Sequence, residues 1–289
     1  MTLFALMSKN SAVKVYRVET DKKTDNEITV NFQTQLQHFE SHHNTELPYE
    51  PGYNPSYNEC SYIKKFTDSA ILLDAVNRST AMPLWNEKIG LDEITAFFMA
   101  PDYPNNKTTI AIQSFSKKQI LNASQYLWLN KGVFSTSQLL GFSLDDKLTA
   151  IINNDVIKFL NFNNLRSIFD MSVYFALATK NDIDIFVKQS VFDLPQGFDL
   201  NNIADNVIRK KITLINKSGI LVSHTVADIK TAASKLNFTI NTSGSGSNEK
   251  IIIPTSKKEI KELLNFLDED YFNSEITKQR FRSNSKRKA

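Results

Sequence analysis

The stretch IIIPTSKKEIKELLNFLDEDYFNSEITKQRFRSNSKRKA, Ile251 to Ala289, decides how the second half of this chain folds. Ser256 and Glu259 have capping-box spacing, at which a serine and a glutamate satisfy each other's backbone donors at a helix start. Ile260, Leu263, Leu264 and Leu267 follow at i, i+3, i+4 and i+7, which predicts an amphipathic helix docked on a core. After the acidic run Asp268-Glu269-Asp270 come Lys278, Arg280, Arg282, Lys286, Arg287 and Lys288, with no acid among them from Lys278 onward. This last segment reads as a cationic arm.

Working outward, Met171 to Thr179, Asn181 to Gln189, Leu200 to Ile215 and Thr225 to Leu236 carry apolar residues three or four apart and predict helices. Thr225 and Asp228 give a second capping-box-like start. Phe238 to Asn241 and Lys250 to Ile253 read as strands joined by the loop Thr242-Ser243-Gly244-Ser245-Gly246-Ser247-Asn248. Before residue 165 the pattern is strand-like. Lys147 to Ile152 and Val156 to Asn161 flank the turn Asn153-Asn154-Asp155 as a hairpin, and Thr95 to Met99, Thr108 to Phe115, Ile120 and Tyr126 to Phe134 make a meander. The chain opens on a hairpin, Leu3 to Met7 with Val13 to Glu19. A helix then carries Ile28, Phe32, Leu36 and Phe39, capped by Asp25 or Asn26. The segment Glu46 to Asn58 holds three prolines among its tyrosines and reads as a loop, and Ser69 to Arg78 as a helix. The predicted fold is mixed α/β (α+β): a strand-rich lobe over 1–165, then a helix-rich lobe over 166–289 with a small sheet.

The 289 residues suffice for a substantial core. At 41% hydrophobic and 22% charged, the composition is that of a globular protein rather than a disordered one. The net charge is only +3, yet the last twelve residues hold six positive charges, so the excess is local. Such a patch fits an anionic partner, nucleic acid or a lipid surface, or else a solubilising tail. Cys60 is the only cysteine, so no intramolecular disulfide forms and a reducing compartment is expected. No run of about eighteen apolar residues and no secretory h-region is present, so a cytoplasmic location is expected, with any membrane connection made through a partner.

Catalytic patterns are incomplete. His38 and His42 have the i, i+4 spacing of a zinc pair, with Glu46 as a possible third ligand, but the HExxH glutamate is missing and a solvated helix end is the plainer reading. His43 adds a third imidazole nearby, and His224 reads as a surface or capping residue. A metal-dependent nuclease needs two carboxylates around Mg²⁺ beside a lysine. Asp102, Asp170, Asp182 and Asp184 are candidates that would have to converge in three dimensions, although Asp182 and Asp184 read more simply as helix N-terminal charges. No phosphate-cradling glycine loop or nucleophile elbow is present. No cofactor and no metal site is expected, and binding remains. The tail cations, with a second cluster at Arg209, Lys210 and Lys211 near Lys217, have the chemistry to neutralise phosphates without reading sequence. Phe281, between Arg280 and Arg282, could stack on a base or anchor the tail to its own core. The cluster on the helix reads equally as a solvated face.

Three stretches together resemble one family: GFSLDDKLTAIINNDVIKFLNFNNLRSIFDMSVYFALATKNDIDIF, VIRKKITLINKSGIL and IPTSKKEIKELLNFLDEDYFNSEITKQRFRSNSKR. A hairpin, then Ile168-Phe169-Asp170, then the PTSKKE helix and the terminal Asn284-Ser285-Lys286-Arg287 are similar to KwaB-like proteins, the soluble component of Kiwa antiphage defence. The resemblance covers about the last 150 residues. It implies a cytoplasmic homodimer that binds DNA and acts with a KwaA-like integral-membrane protein to block phage replication. It supplies no catalytic residues. The DNA contacts, Lys278, Arg280, Arg282, Lys286, Arg287, Lys288, Arg209, Lys210 and Lys211, are chosen by charge. Two other readings stay open, a metal-dependent nuclease and a scaffold for a membrane protein that does not bind DNA. The terminal NSKR segment also has a structural reading, as a buried element of the fold.

Overall fold

The computed structural model describes residues 1–86, 88–101, 109–121, 127–135, 141–283 and 285–287. The chain divides into two compact units, one of residues 1–49 and 54–171, the other of 50–53 and 172–289.

The first unit holds β1 (Leu3–Met7), β2 (Val15–Val18), α1 (Lys22–His42), β3 (Thr45–Pro48), β4 (Glu59–Ile63), α2 (Ser69–Asn77), β5 (Ile94–Met99) and β6 (Thr109–Ser114). It continues with β7 (Ile120–Leu121), β8 (Trp128–Asn130), β9 (Val133–Ser135), β10 (Gly141–Phe142), β11 (Ala150–Asn153), β12 (Val156–Phe159) and α3 (Phe162–Ile168). Its main sheet runs β2-β1-β5-β6-β11-β12-β4-β3, antiparallel except for the parallel β3–β4 edge. Every residue of β1 is buried, so both faces of this strand are covered. Leu3, Ala5 and Met7 share a core with Phe32, Leu36 and Phe39 of α1. Phe4 points to the opposite face, where it stacks on Phe98.

The opening hairpin and the β11–β12 hairpin stand where the sequence predicts them. The second has a tighter turn than expected. Asn153 pairs with Val156, leaving Asn154 and Asp155 at the corner, and Asn154 takes φ +56°, a left-handed conformation that asparagine tolerates. Helix α1 begins earlier than Asp25 because Asp21 accepts from the amides of Lys23 and Thr24 and caps it there. Inside the proline-rich segment taken as loop, Thr45 to Pro48 still adds a strand at the sheet edge, the one place where Pro48's missing N–H costs no ladder bond.

The second unit holds α4 (Lys180–Val187), β13 (Phe192–Asp193), α5 (Asn206–Ser218), α6 (Ile220–Ser223), α7 (Val226–Lys235), β14 (Thr242–Ser243), β15 (Lys250–Ile252), α8 (Lys257–Leu267), β16 (Tyr271–Asn273) and β17 (Arg280–Arg282). The stripe Ile260, Leu263, Leu264 and Leu267 of α8 is buried with Ile208, Ile212 and Ile215 of α5, Phe186 of α4 and Ile251 of β15. Each such side chain contributes about 1.5–3 kcal/mol of burial. The expected helix at Leu200 to Ile215 is a short 3₁₀ turn followed by α5, because Asp205 accepts from Val207 and Ile208 and restarts the helix. Gly219, at φ +69°, ends it with the left-handed cap that glycine adopts without strain. The strand expected at Phe238 to Asn241 lies further on, as β14, paired antiparallel to β15.

The helix expected at Met171 to Thr179 does not form. Its carbonyls bond instead to side chains on α5: Arg209 Nη1 donates to Ala178 O at 2.8 Å, Thr213 Oγ1 to Ala176 O at 3.1 Å and Lys217 Nζ to Tyr174 O at 3.2 Å. Donors at i, i+4 and i+8 form one row along a helix, and alternate carbonyls of an extended chain form another. That match of periods holds 174–178 against α5 in a non-helical path.

Candidate nucleic-acid interface

Of the three basic residues singled out on α5, two serve the fold. Ile208, Lys211, Ile212 and Ile215 repeat the helical apolar spacing, which turns Lys211 inward, and it is 9% exposed. Its ammonium lies 2.5 Å from Asp268 Oδ2 and 2.6 Å from Asp270 Oδ2. Arg209 donates to Ala178 O and to Ala204 O. Lys210 alone makes no hydrogen bond or ion pair among the described residues, and it is half-buried.

The terminal segment is a strap rather than a free arm. Strands β16 and β17 form a hairpin with Tyr271 opposite Arg282, Phe272 opposite Phe281 and Asn273 opposite Arg280. Arg280 Nη1 donates to Leu236 O and Asn237 O, each at 3.1 Å, and the guanidinium lies 5.3 Å from the Tyr271 ring centroid. Asn273 Nδ2 donates to Lys235 O at 2.8 Å. These bonds satisfy carbonyls at the C-terminal end of α7 that lack helical partners. Beyond the hairpin the Ser283 amide bonds Asp270 O, and Lys286 lies 3.2 Å from Asp270 and 3.5 Å from Asp268. Arg287 Nε is 3.9 Å from Glu50.

The reason for this docking lies in Asp268 and Asp270, buried at 7% and 1% exposure. An unpaired buried carboxylate is costly, and Asp268 also stands at the C-terminal end of α8, where the helix dipole disfavours a negative charge. Lys211 balances one charge and Lys286 the other, closing a four-residue network of zero net charge. Among the described tail cations, the Lys278 ammonium is held only by an exposed bridge to Glu275 at 2.6 Å, and the exposed Arg282 side chain makes no hydrogen bond or ion pair. Lys288 and Asn284 lie outside the described residues.

Of the acids weighed for metal chemistry, Asp182 and Asp184 have structural partners. Asp182 closes a capping box with Thr179, which holds its carboxyl below the usual range. Asp184 accepts from Asn201 Nδ2 at 2.6 Å. Asp170 follows α3 in the first unit, and Asp102 lies outside the described residues. The imidazoles of His38 and His42 approach to 3.9 Å between centroids, while His43 Nδ1 meets Tyr57 O and Glu46 pairs with Lys158 at 2.5 Å. Among the described residues, no three His, Cys, Asp or Glu side chains gather as a metal site. No helix among them is long and apolar enough to cross a membrane.

The family model for "Kiwa protein KwaB-like" matches residues 103–277, more than half of the chain. The chain belongs to the KwaB-like family. It is accordingly a component of Kiwa antiphage defence. No curated protein and no solved structure matches it. In this KwaB-like chain the matched span contains Arg209, Lys210 and Lys211 and ends one residue before Lys278, so the cations of the tail lie beyond it. The sequence reading missed the Asp268–Lys211 and Asp270–Lys286 pairings. Their signal was present in a lysine set into the apolar face of α5 and a carboxylate run placed directly after the α8 stripe.

Proposed function

We propose that this KwaB-like protein works in Kiwa defence by binding DNA through its phosphates, without sequence readout, and blocks phage replication by occupancy rather than by bond cleavage. The observation that carries the reading is the pair of cations, Arg282 and Lys210, that make no bond or ion pair among the described residues, with Lys278 held only by an exposed bridge. Lys288 would add a further charge. An exposed bridge of the Lys278–Glu275 kind is worth about 0–1 kcal/mol, so a phosphate can displace the glutamate. Arg209, Lys211, Arg280, Lys286 and Arg287 support the site by holding α5 and the hairpin in place, and approach phosphate only with atoms their internal bonds leave over. In this reading the protein is a cytoplasmic homodimer and is recruited to the inner membrane face by a KwaA-like integral-membrane protein.

The test is binding of the purified protein to a fluorescent 20-base-pair duplex over a salt series, with Mg²⁺ or with EDTA. Intact DNA, bound at low salt and released as salt rises, is the expected result. Mg²⁺-dependent cleavage would establish the nuclease reading in its place. Equal affinity for unrelated polyanions, with co-purification of the membrane protein retained, would favour a scaffold.

A further inference from the structure

The β16–β17 hairpin has one face fixed to the body of its unit and one face open. Along a strand alternate side chains point to opposite faces, so Asn273 and Arg280 share one face while Phe272 and Phe281 share the other. The first face is bonded to the end of α7 through Lys235 O, Leu236 O and Asn237 O. On the second, the Phe272 and Phe281 rings stack with centroids 5.7 Å apart and planes 23° from parallel, yet remain 49% and 43% exposed. Ile276, in the connecting turn, is 93% exposed. Two large aromatic side chains held in register on a braced ribbon, with their outer surfaces in water, form a stacking platform. Exposed Arg282 follows Phe281 at the end of β17, where alternation turns it to the face of Arg280 so that it reaches the platform from its edge, and Lys278, bridged at the surface to Glu275, precedes it in the turn.

We infer that this hairpin is a binding surface for single-stranded nucleic acid, with unpaired bases stacking on Phe272 and Phe281 and the backbone phosphates meeting Lys278 in the turn and Arg282 where the strand passes the edge of the ribbon. The inference rests on the phosphate-binding reading above and adds the form of nucleic acid that the hairpin takes. A duplex hides the faces of its bases, whereas an unpaired strand offers them, and every base has a face to stack. The charges complement a phosphate backbone and the apolar surface between them complements a base. The bonds of Arg280 and Asn273 hold the ribbon before the ligand arrives, so little ordering remains to be done on binding.

The experiment compares a fluorescent dT₂₀ with an abasic 20-mer of the same backbone charge, and with a duplex, for wild type, F272A/F281A and F272L/F281L. Wild type is expected to bind dT₂₀ at least about tenfold more tightly than the abasic strand, as stacking of one or more bases implies. Both variants should lose that preference while keeping the salt slope, because the phosphates are met by other residues. The leucine variant keeps the apolar bulk, so a matching thermal melt separates loss of stacking from loss of folding. Equal binding of dT₂₀ and abasic strand by wild type overturns the inference while leaving phosphate binding intact. A failure to bind any of the three removes the functional reading itself. Sedimentation of wild type as a dimer that F272D/F281D makes monomeric would assign the platform to a second copy of the chain and also overturn the inference.

Discussion

Lys211 in α5 and Lys286 in the terminal strap share one carboxylate: Lys211 Nζ lies 2.6 Å from Oδ2 of Asp270 and Lys286 Nζ lies 3.2 Å from Oδ1. A lysine chosen by charge from the middle of the sequence and another chosen from its end thus meet at a residue that is 1% exposed. This divides the basic residues into those that hold the protein together and those left to meet a ligand.

The two lysines should differ in their contribution. Lys211 is nearly enclosed and bonds both aspartates, so Lys211→Ala leaves buried negative charge and is expected to cost about 3–5 kcal/mol in urea unfolding. The Lys286 side chain is 37% exposed, and water screens what its removal uncovers, so Lys286→Ala should cost about 1 kcal/mol. Equal costs for the two would contradict the account of the network.

Arg209 should behave as a structural residue. Arg209→Ala removes charge-assisted bonds to Ala178 O and Ala204 O, with an expected loss of about 1.5–3 kcal/mol, and faster proteolysis of the 172–179 segment. Its effect on the salt dependence of DNA binding should be small, which a salt series on the folded variant would check.

Asp205 sets an acid limit on the second unit. Burial pushes its carboxyl up, but bonds from Lys261, the Ile208 amide and Lys257 outweigh this and hold it well below the ordinary aspartate range. A depressed folded value means that the contribution is complete above about pH 4, the unfolded value, and fades as pH falls through the folded one. With the side chain 32% exposed, that contribution is about 1 kcal/mol. Asp205→Asn keeps a good N-cap but cannot ionise, so the two proteins should differ at pH 7 and draw together as pH falls below about 4 in chemical denaturation.

Cys60 should be inert in the folded protein. Burial, with Glu46 nearby, raises its thiol to about 11, and the side chain is 1% exposed. Iodoacetamide at pH 8 is expected to leave it unmodified until urea unfolds the first unit, as mass spectrometry would record.

Much of the architecture was legible because burial imposes a period on the sequence. The stripe of α8, the alternation of β12 and the unbroken apolar runs of β1 and β11 each mark buried positions in residues close together in the chain. The failures have tertiary causes. Met171 to Thr179 has helical spacing, but its carbonyls are taken by Arg209, Thr213 and Lys217, more than thirty residues later. Asp21 caps α1 from outside the apolar repeat. The division of the cations was legible only in part. Lys211 betrays itself by standing in line with Ile208, Ile212 and Ile215, whereas nothing local to Arg280 marks the end of α7 as its partner.

The most direct measurement is the salt dependence of duplex binding for Lys210→Gln/Lys278→Gln/Arg282→Gln/Lys288→Gln against wild type, with Mg²⁺ present. If these cations meet phosphates, the slope of log affinity against log salt becomes shallower by roughly two to four, with the DNA intact and the protein's melting unchanged. An unchanged slope, or cleaved DNA, would contradict phosphate binding by occupancy at these residues.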